Sequence, residues 1–241
     1  MNSRVAQLTR LAVVAGATFQ LSAAGGVEVD EESFSGRTAA AVAEFRAAIE
    51  LEPDLNRGAA HFATCAACHG ADGRGSGDGA IPAVAAQHVS VLVKQLVDFR
   101  HDRRWEERMQ HFASQHSLAG PQELLDVAAY AESLERWPPL EGGFSDAVAE
   151  KRGSALYHRH CADCHGPLAL GELRRMRPRL AGQHYAYLLR QLNETAAGER
   201  PGMDAEHVRL IGALSTLERA GLAHYLSRLS PNLASTQDRA R

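Results

Sequence analysis

Two stretches of the sequence are nearly identical: TCAACHG at Thr64–Gly70 and HCADCHG at His160–Gly166. Each contains the pattern C-x-x-C-H, and all four cysteines of the chain lie in these two copies. In each copy the two thiols stand about one helical turn apart, and a histidine directly follows the second thiol. A pattern that uses every cysteine of a 241-residue chain predicts two copies of one chemical site.

This spacing is typical of covalent haem attachment, in which two cysteines form thioethers with the porphyrin vinyl groups and the adjacent histidine binds the iron. A disulfide within each pair is a weaker interpretation, because such tight rings belong to redox-active dithiols in a β-α-β context that the sequence lacks. A zinc site is the other alternative. It would need both distant pairs and would leave the histidines unexplained. We therefore predict two covalently bound haem c groups, attached and ligated on the proximal side by Cys65, Cys68, His69, Cys161, Cys164 and His165.

The repeat extends beyond the two stretches, because the offset of 96 residues between Cys65 and Cys161 recurs without a gap. The matching pairs are Pro82 and Pro178, Gln87 and Gln183, His88 and His184, Gln95 and Gln191, and Arg104 and Arg200. A fixed offset predicts one structural unit used twice. We assign residues 54–137 to the first haem domain and 144–230 to the second, separated by the Pro- and Gly-rich stretch WPPLEGG.

Apolar residues in both units recur at three- and four-residue spacings, and no stretch alternates as a β-strand does. This predicts an all-α fold, with helices at 55–65 and 147–161 running into the C-x-x-C-H patterns, a middle helix at 88–99 and 184–195, and a closing helix at 121–137 and 215–229. Ser215 and Glu218 predict a capping box at the start of the last of these helices. The extension at 25–53 contains an amphipathic helix with Val42, Phe45 and Ile49 on one face. We expect it to pack on the first domain, and residues 231–241 to form a disordered tail.

The N-terminus resembles an export signal, because Arg4 and Arg10 precede an apolar run that is too short to span a membrane. We expect residues 1–24 to be a cleaved signal peptide, with a retained interfacial anchor as the alternative. The formal net charge is only −3 and the chain has no long block of like charge. The sequence therefore predicts protein partners and no nucleic-acid binding.

The chain resembles the periplasmic class I c-type cytochromes with two tandem haem domains, of the c-four kind. The resemblance covers residues 54–229 and rests on the two C-x-x-C-H-G patterns, the AAQH and LAGQH stretches, and the VLVKQL and YLLRQL helices. It implies two class I cytochrome c domains, each a few short helices and loops around a covalent haem. It also implies that the carbonyls of Pro82 and Pro178 accept hydrogen bonds from the proximal histidines. Arg104 and Arg200 would suit haem propionates, or lie at the surface.

The same resemblance implies a sixth iron ligand from the loop before each closing helix, usually a methionine. In the first unit it points to Met109, while the offset of 96 matches His111 to the second unit and makes it the alternative. In the second unit the expected position, seven residues before Leu214, is His207. We predict His207 as the ligand there, with Met203 as its competitor and an open iron as a third possibility.

These features predict a periplasmic carrier of single electrons. Its donor would be a dehydrogenase or a quinol-oxidising complex, and its acceptor a terminal oxidase or reductase. The alternatives are a dihaem redox enzyme, such as a peroxidase, a sulfur-compound dehydrogenase or its electron-accepting subunit, and a gas sensor. The sequence offers no cluster of acid or base groups beside the iron ligands, so we expect no catalytic residues.

Overall fold

The computed structural model describes residues 38–136 and 147–229, and these form ten α-helices. The predicted all-α architecture is confirmed, since the β-structure of the described residues is one isolated bridge between Glu172 and Arg177. Within these two ranges no helix has the length and apolarity needed to cross a membrane. The predicted signal peptide, the domain boundary at 137–143 and the tail at 231–241 lie outside the described residues.

The two haem-attachment regions lie in two units with the same order of helices. A preceding helix, α1, spans Ala39–Ile49. The first unit contains α2 (Leu55–His69), α3 (Val89–Arg100), α4 (Glu107–Ala113) and α5 (Pro121–Ser133). The second unit contains α6 (Ala147–His160), α7 (Ala162–His165), α8 (Tyr185–Ala196), α9 (Ala205–Gly212) and α10 (Thr216–Arg228).

Side chains at the helix starts explain where several of these helices begin. Proline stands at the first position of α5, where its missing N–H costs nothing. The predicted capping box of α10 is present: Ser215 Oγ accepts from the Glu218 backbone N–H at 3.3 Å, and the Glu218 carboxylate accepts from the Ser215 N–H at 2.8 Å. Both closing helices therefore begin at defined residues.

In both units the helix that leads to the haem-binding cysteines crosses the closing helix at a glycine. A Cβ placed on Gly58 would lie 2.2 Å from the carbonyl oxygen of Asp126, and one on Gly153 would lie 2.0 Å from that of Gly221. Each glycine therefore lets one helix backbone contact the other directly. This contact fixes the attachment region against the closing helix.

The second unit has one extra residue between this crossing and its cysteines. The crossing glycines, Gly58 and Gly153, are 95 positions apart, whereas Cys65 and Cys161 are 96 apart. In the first unit α2 continues without a break to His69. In the second, α6 ends at His160 and the four-residue helix α7 carries the rest of the pattern, so the prediction of one helix reaching Cys161 was wrong by one residue.

Helix α1 packs on the first unit, as its amphipathic pattern predicts. Phe45 is 1% exposed and lies with Ala41 and Ala48 in the core that α3 and α5 also line. Val42 and Ile49 pack against the same core at its edge. A separate core in the second unit is built around Tyr157, Leu188, Leu222 and Leu226.

Candidate haem sites

The four cysteines and two proximal histidines are arranged alike in the two units. Their thiols are not paired as disulfides, and the second cysteine of each pair is exposed while the first is half-buried. Burial raises the pKa of the Cys161 thiol to about 11. Among the described residues no group of three or more Cys, His, Asp or Glu side chains is placed to hold a metal ion, so a zinc site formed by the cysteines has no support there.

Each proximal histidine is oriented by a proline carbonyl. Nδ1 of His69 lies 2.9 Å from the carbonyl oxygen of Pro82, and Nδ1 of His165 lies 3.1 Å from that of Pro178. Because a carbonyl only accepts hydrogen bonds, Nδ1 carries the proton in both rings. The lone pair of Nε2 is therefore available to a metal, and the proline bond raises its basicity.

Both proximal imidazoles are neutral at physiological pH. Burial lowers the pKa of His69, and it lowers that of His165 to about 4. The hydrogen bonds to Pro82 and Pro178 oppose this shift but do not offset it. Neutral imidazole is the form that binds iron, so burial prepares both side chains for that role.

Two glycines allow the proline-containing loops to approach the histidines. Gly75 and Gly171 have φ angles of 78° and 72°, in the left-handed region. A Cβ on Gly75 would lie 2.3 Å from the carbonyl oxygen of Ile81, and one on Gly171 would lie 2.2 Å from that of Arg177. Glycine therefore satisfies both the backbone conformation and the close approach that each loop requires.

In the second unit the ring of His207 faces the ring of His165. Their centroids are 6.1 Å apart and their planes are inclined by 65°. Metal–imidazole bonds are about 2 Å long, so two rings that bind one metal ion from opposite sides have centroids about 6 Å apart. Burial lowers the pKa of His207 as well, which keeps this ring neutral. Met203 precedes Asp204, the N-cap of α9, and thus lies outside the helix that carries His207.

In the first unit Met109 occupies the position that His207 has in the second. Met109 is the third residue after Glu106, the N-cap of α4, and His207 is the third after the N-cap of α9. In both cases the N-cap carboxylate accepts a hydrogen bond from the backbone N–H of that third residue, at 2.8 Å for Met109 and 3.1 Å for His207. His111 is exposed and stacks edge-on against Phe112.

The offset between these two positions is 98 residues, not 96. In the first unit Glu106, the N-cap of α4, lies two positions after Arg104. In the second unit Asp204, the N-cap of α9, lies four positions after Arg200, so the second unit has two more residues here. The ungapped repeat that matched His111 to His207 is therefore interrupted before α4 and α9. The equivalent positions of Met109 and His207 favour Met109 over His111 as the candidate sixth ligand.

The two units join through reciprocal side-chain contacts made by the repeated glutamines. The amide of Gln183 accepts from the backbone N–H of Ala83 at 3.0 Å and donates to its carbonyl at 2.8 Å. The amide of Gln87 makes the same two contacts with Arg179, at 2.9 and 3.0 Å. Ala83 and Arg179 directly follow the prolines that orient the proximal histidines. Each glutamine thus supports the haem-binding loop of the other domain.

The repeated histidines strengthen this interface. His88 and His184 are the N-cap residues of α3 and α8, but neither side chain makes a capping hydrogen bond. Instead, Nε2 of His88 donates to the carbonyl of Leu170 at 2.8 Å, and Nε2 of His184 donates to that of Arg74 at 2.6 Å. Each ring therefore binds the backbone of the other unit.

Arg104 and Arg200 also lie between the two units. The guanidinium of Arg104 donates to Tyr187 Oη at 2.7 Å and to Gln191 Oε1 at 2.8 Å, both in the second unit. Burial, with the neighbouring charge of Arg104, lowers the pKa of Arg200 to about 10. The interface therefore concentrates positive charge away from water.

Several buried arginines at or outside this interface offer unused donors for an anionic group. Within the described residues, the buried Nε atoms without a hydrogen-bond partner include those of Arg103, Arg136, Arg177 and Arg179. Burial lowers the pKa of Arg136 to about 10. Guanidinium groups form their strongest hydrogen bonds with carboxylates. The chemistry of these donors therefore fits the propionate carboxylates of haem c.

Sequence reasoning found the proximal histidines and the prolines, but it did not find the interface. The signal that could have revealed the interface is the offset of 96, because Gln87, His88 and their counterparts repeat without being haem ligands. Met176 gave no such signal. It belongs to the second unit but is 5% exposed and packs into the core of the first.

Comparisons with known proteins agree with the division of the chain into two similar units. The family model for cytochrome c matches residues 55–135 and again residues 150–230. Cytochrome c4 of Pseudomonas aeruginosa is 31% identical over 186 residues, which cover 73% of this chain and 89% of that protein. The thiosulfate dehydrogenase electron acceptor of Stutzerimonas stutzeri is 36% identical over 144 residues, which cover 56% of this chain and 64% of that protein.

Solved structures show the same similarity. The crystal structure of reduced recombinant cytochrome c4 from Pseudomonas stutzeri has a TM-score of 0.64 and 28% identity, covering 74% of this chain and all of that one. Thiosulfate dehydrogenase (TsdBA) from Marichromatium purpuratum has a TM-score of 0.62 and 27% identity, covering 73% of this chain and 40% of that one. Both similarities extend over the greater part of the chain.

Proposed function

Because the chain belongs to the cytochrome c family and is a dihaem electron-transfer cytochrome of the c4 type, we propose that it carries single electrons in the periplasm. Its donor is a dehydrogenase or a quinol-oxidising complex, and its acceptor is a terminal oxidase or reductase. Haem 1, attached through Cys65 and Cys68, has His69 and Met109 as axial ligands. Haem 2, attached through Cys161 and Cys164, has His165 and His207.

The observation that carries this proposal is the pair of facing rings of His165 and His207, 6.1 Å apart between centroids. Each haem iron supplies the chemistry of reversible one-electron oxidation. The protein supplies the axial ligands, the buried surroundings and the proline carbonyls that fix the proximal rings. No acid or base group beyond the iron ligands is needed for this function.

The two axial pairs make the two sites unequal. A thioether favours reduced iron more than an imidazole does, so His/Met ligation gives a higher potential than His/His ligation. The second site is therefore the low-potential one and suits the donor side. The first site is the high-potential one and suits the acceptor side.

A specific donor is favoured by the comparisons. Two relatives are named thiosulfate dehydrogenase electron acceptor, and a matching structure is that of a thiosulfate dehydrogenase. We propose as the second candidate that this chain accepts electrons from such a dehydrogenase. In that role the second site would receive the electron from the dehydrogenase.

A redox titration of the haem-loaded protein, followed by absorption and EPR spectra, tests the proposal. We expect two low-spin irons that do not bind carbon monoxide rapidly, with potentials separated on the order of 0.1 V or more. Coincident potentials, or an iron that binds carbon monoxide or peroxide at once, would contradict it. Rapid reduction by a purified thiosulfate dehydrogenase with thiosulfate would support the second candidate, and no reduction would exclude it.

A further inference from the structure

Arg100, the last residue of α3, connects helix α1 to two separate parts of the first unit. Its side chain is 5% exposed. Nε donates to the carbonyl of Ala113 at 2.7 Å, and one terminal nitrogen donates to the carbonyl of Leu118 at 2.6 Å. The other terminal nitrogen donates to the carboxylate of Glu44, on α1. Each of the three guanidinium nitrogens thus donates to a fixed acceptor.

The two carbonyls bracket the segment that follows Met109. Ala113 is the last residue of α4, one turn beyond Met109, and Leu118 lies two residues before Gly120, the N-cap of α5. The side chains of Ala113 and Leu118 are buried, at 0% and 5% exposure. Arg100 therefore holds both ends of the connection between the helix that carries Met109 and the closing helix.

Glu44 holds Arg100 in this position. Its side chain is 12% exposed, and its second carboxylate oxygen lies 2.8 Å from Nε2 of His101. A buried guanidinium without a nearby carboxylate pays an uncompensated desolvation cost. Removing the charge of Glu44 would therefore favour arrangements in which Arg100 turns toward water and releases one or both carbonyls.

The second unit holds the corresponding connection differently: Arg219 of α10 donates to the carbonyl of Leu214, between α9 and α10, and its Nε donates to Asn193. The residue 96 positions after Arg100 is Ala196, which cannot make such contacts. Helix α1 also precedes residue 55, where the match to the cytochrome c family model begins. The pair formed by Glu44 and Arg100 is therefore an addition that acts on the first haem site alone.

We propose that Glu44 and Arg100 are positioning residues for the sixth ligand of haem 1, with α1 as the element that supplies Glu44. This inference rests on the proposed ligation of haem 1 by Met109. Helix α1 thereby slows the displacement of the Met109 thioether from the iron. In the second unit Arg219, on the closing helix itself, binds the corresponding connection, so Glu44 and Arg100 act on haem 1.

The test is imidazole binding to each haem in the full-length, haem-loaded protein, comparing Glu44→Gln with wild type. Added imidazole replaces the thioether only when the Met109 segment opens. We expect the apparent affinity of haem 1 for imidazole to rise about tenfold, the equivalent of one lost charged hydrogen bond. The thioether-to-iron absorption band should weaken in parallel, and haem 2 should not change. Glu50→Gln, an exposed change at the C-cap of the same helix, is the matched control and should behave as wild type.

Arg100→Lys is the second variant, because lysine keeps the charge beside Glu44 but lacks the planar fork that spans both carbonyls. It should raise imidazole affinity as Glu44→Gln does. If both variants lower only the free energy of unfolding and leave imidazole binding unchanged, the positioning role is refuted. Met109→Leu separates this result from failure of the ligand assignment. If it leaves the spectrum of haem 1 unchanged, Met109 is not the ligand and both proposals fail.

Discussion

Met109 and His207 occupy the same position in two equivalent helices, the third residue after a carboxylate N-cap that accepts the hydrogen bond of their own backbone N–H. The two units thus use one backbone arrangement to present different side chains to their haem sites. Under the proposed ligation, a methionine and a histidine at these equivalent positions give the two haems different redox potentials.

The first prediction concerns this side chain. His207→Met should raise the potential of haem 2 on the order of 0.1 V, because a thioether replaces an imidazole. Spectroelectrochemistry of the haem-loaded variant measures the change. His160→Met, an exposed substitution in the same unit, is the control and should leave both potentials unaltered. An unchanged potential of haem 2 in His207→Met would exclude His207 as its ligand.

The second prediction concerns the interface. Gln183→Ala removes both hydrogen bonds to Ala83 and so loosens the loop whose Pro82 carbonyl orients His69. A weaker bond at Nδ1 lowers the basicity of the His69 ring and destabilises oxidised iron. We expect the potential of haem 1 to rise on the order of tens of millivolts, although Gln183 belongs to the other domain.

Redox titration of Gln183→Ala beside Gln115→Ala measures this effect. Gln115 is exposed in the first unit, so its removal should change neither potential. A shift confined to haem 2 in Gln183→Ala would show that the glutamine acts within its own domain, contrary to the expectation.

The parts of the fold that sequence reasoning found are those encoded by local patterns. The C-x-x-C-H patterns, the capping box at Ser215 and the amphipathic face of α1 each depend on residues within a few turns of one another. The equivalence of Met109 and His207 was not visible in the same way. It depends on a two-residue difference in loop length before α4 and α9, which an ungapped comparison of the repeat cannot register.

The contacts between the units could not be predicted from the sequence for a different reason. Its hydrogen bonds join residues about 80 to 110 positions apart, and the partner atoms are mostly backbone carbonyls, which carry no residue identity. The sequence therefore showed that Gln87 and His184 belong to repeated pairs, but it could not show what they bind. Arg104 was assigned to haem propionates or to the surface, whereas it bridges to Tyr187.

The third prediction concerns the helix crossing of the second unit. Gly153→Ala would place a Cβ 2.0 Å from the carbonyl oxygen of Gly221, so α6 and α10 must separate. We expect a loss of at least about 2 kcal/mol in the free energy of unfolding. Gly212→Ala is the control, because its nearest neighbouring atom would be 3.9 Å away. It should be neutral or slightly stabilising. Equal stability of the two variants in denaturant titrations would refute the close contact.

The last prediction concerns Asp126, whose fully buried carboxylate joins α5 to the start of α2. It accepts hydrogen bonds from the backbone N–H of Asp54 at 2.7 Å, from Arg57 Nε at 2.7 Å and from Gln122 Nε2 at 2.9 Å. Burial raises the pKa of Asp126, but the bonds to Arg57, Asp54 and Gln122 outweigh it, and the pKa is lowered overall. The stabilisation is therefore complete above the unfolded-state pKa of about 4 and is lost as the pH falls through the lower folded-state value.

Asp126→Asn should accordingly lower the free energy of unfolding by about 2 kcal/mol at pH 7. The figure is modest because half of the Arg57 side chain is exposed, so solvent screens the ion pair. Urea unfolding at a series of pH values measures the difference between wild type and variant. This difference should shrink below about pH 4, where the carboxyl of the unfolded chain takes up a proton before that of the folded protein does. A difference that stays constant down to strongly acidic pH would mean that the ionised carboxylate does not contribute, and that packing alone accounts for the loss.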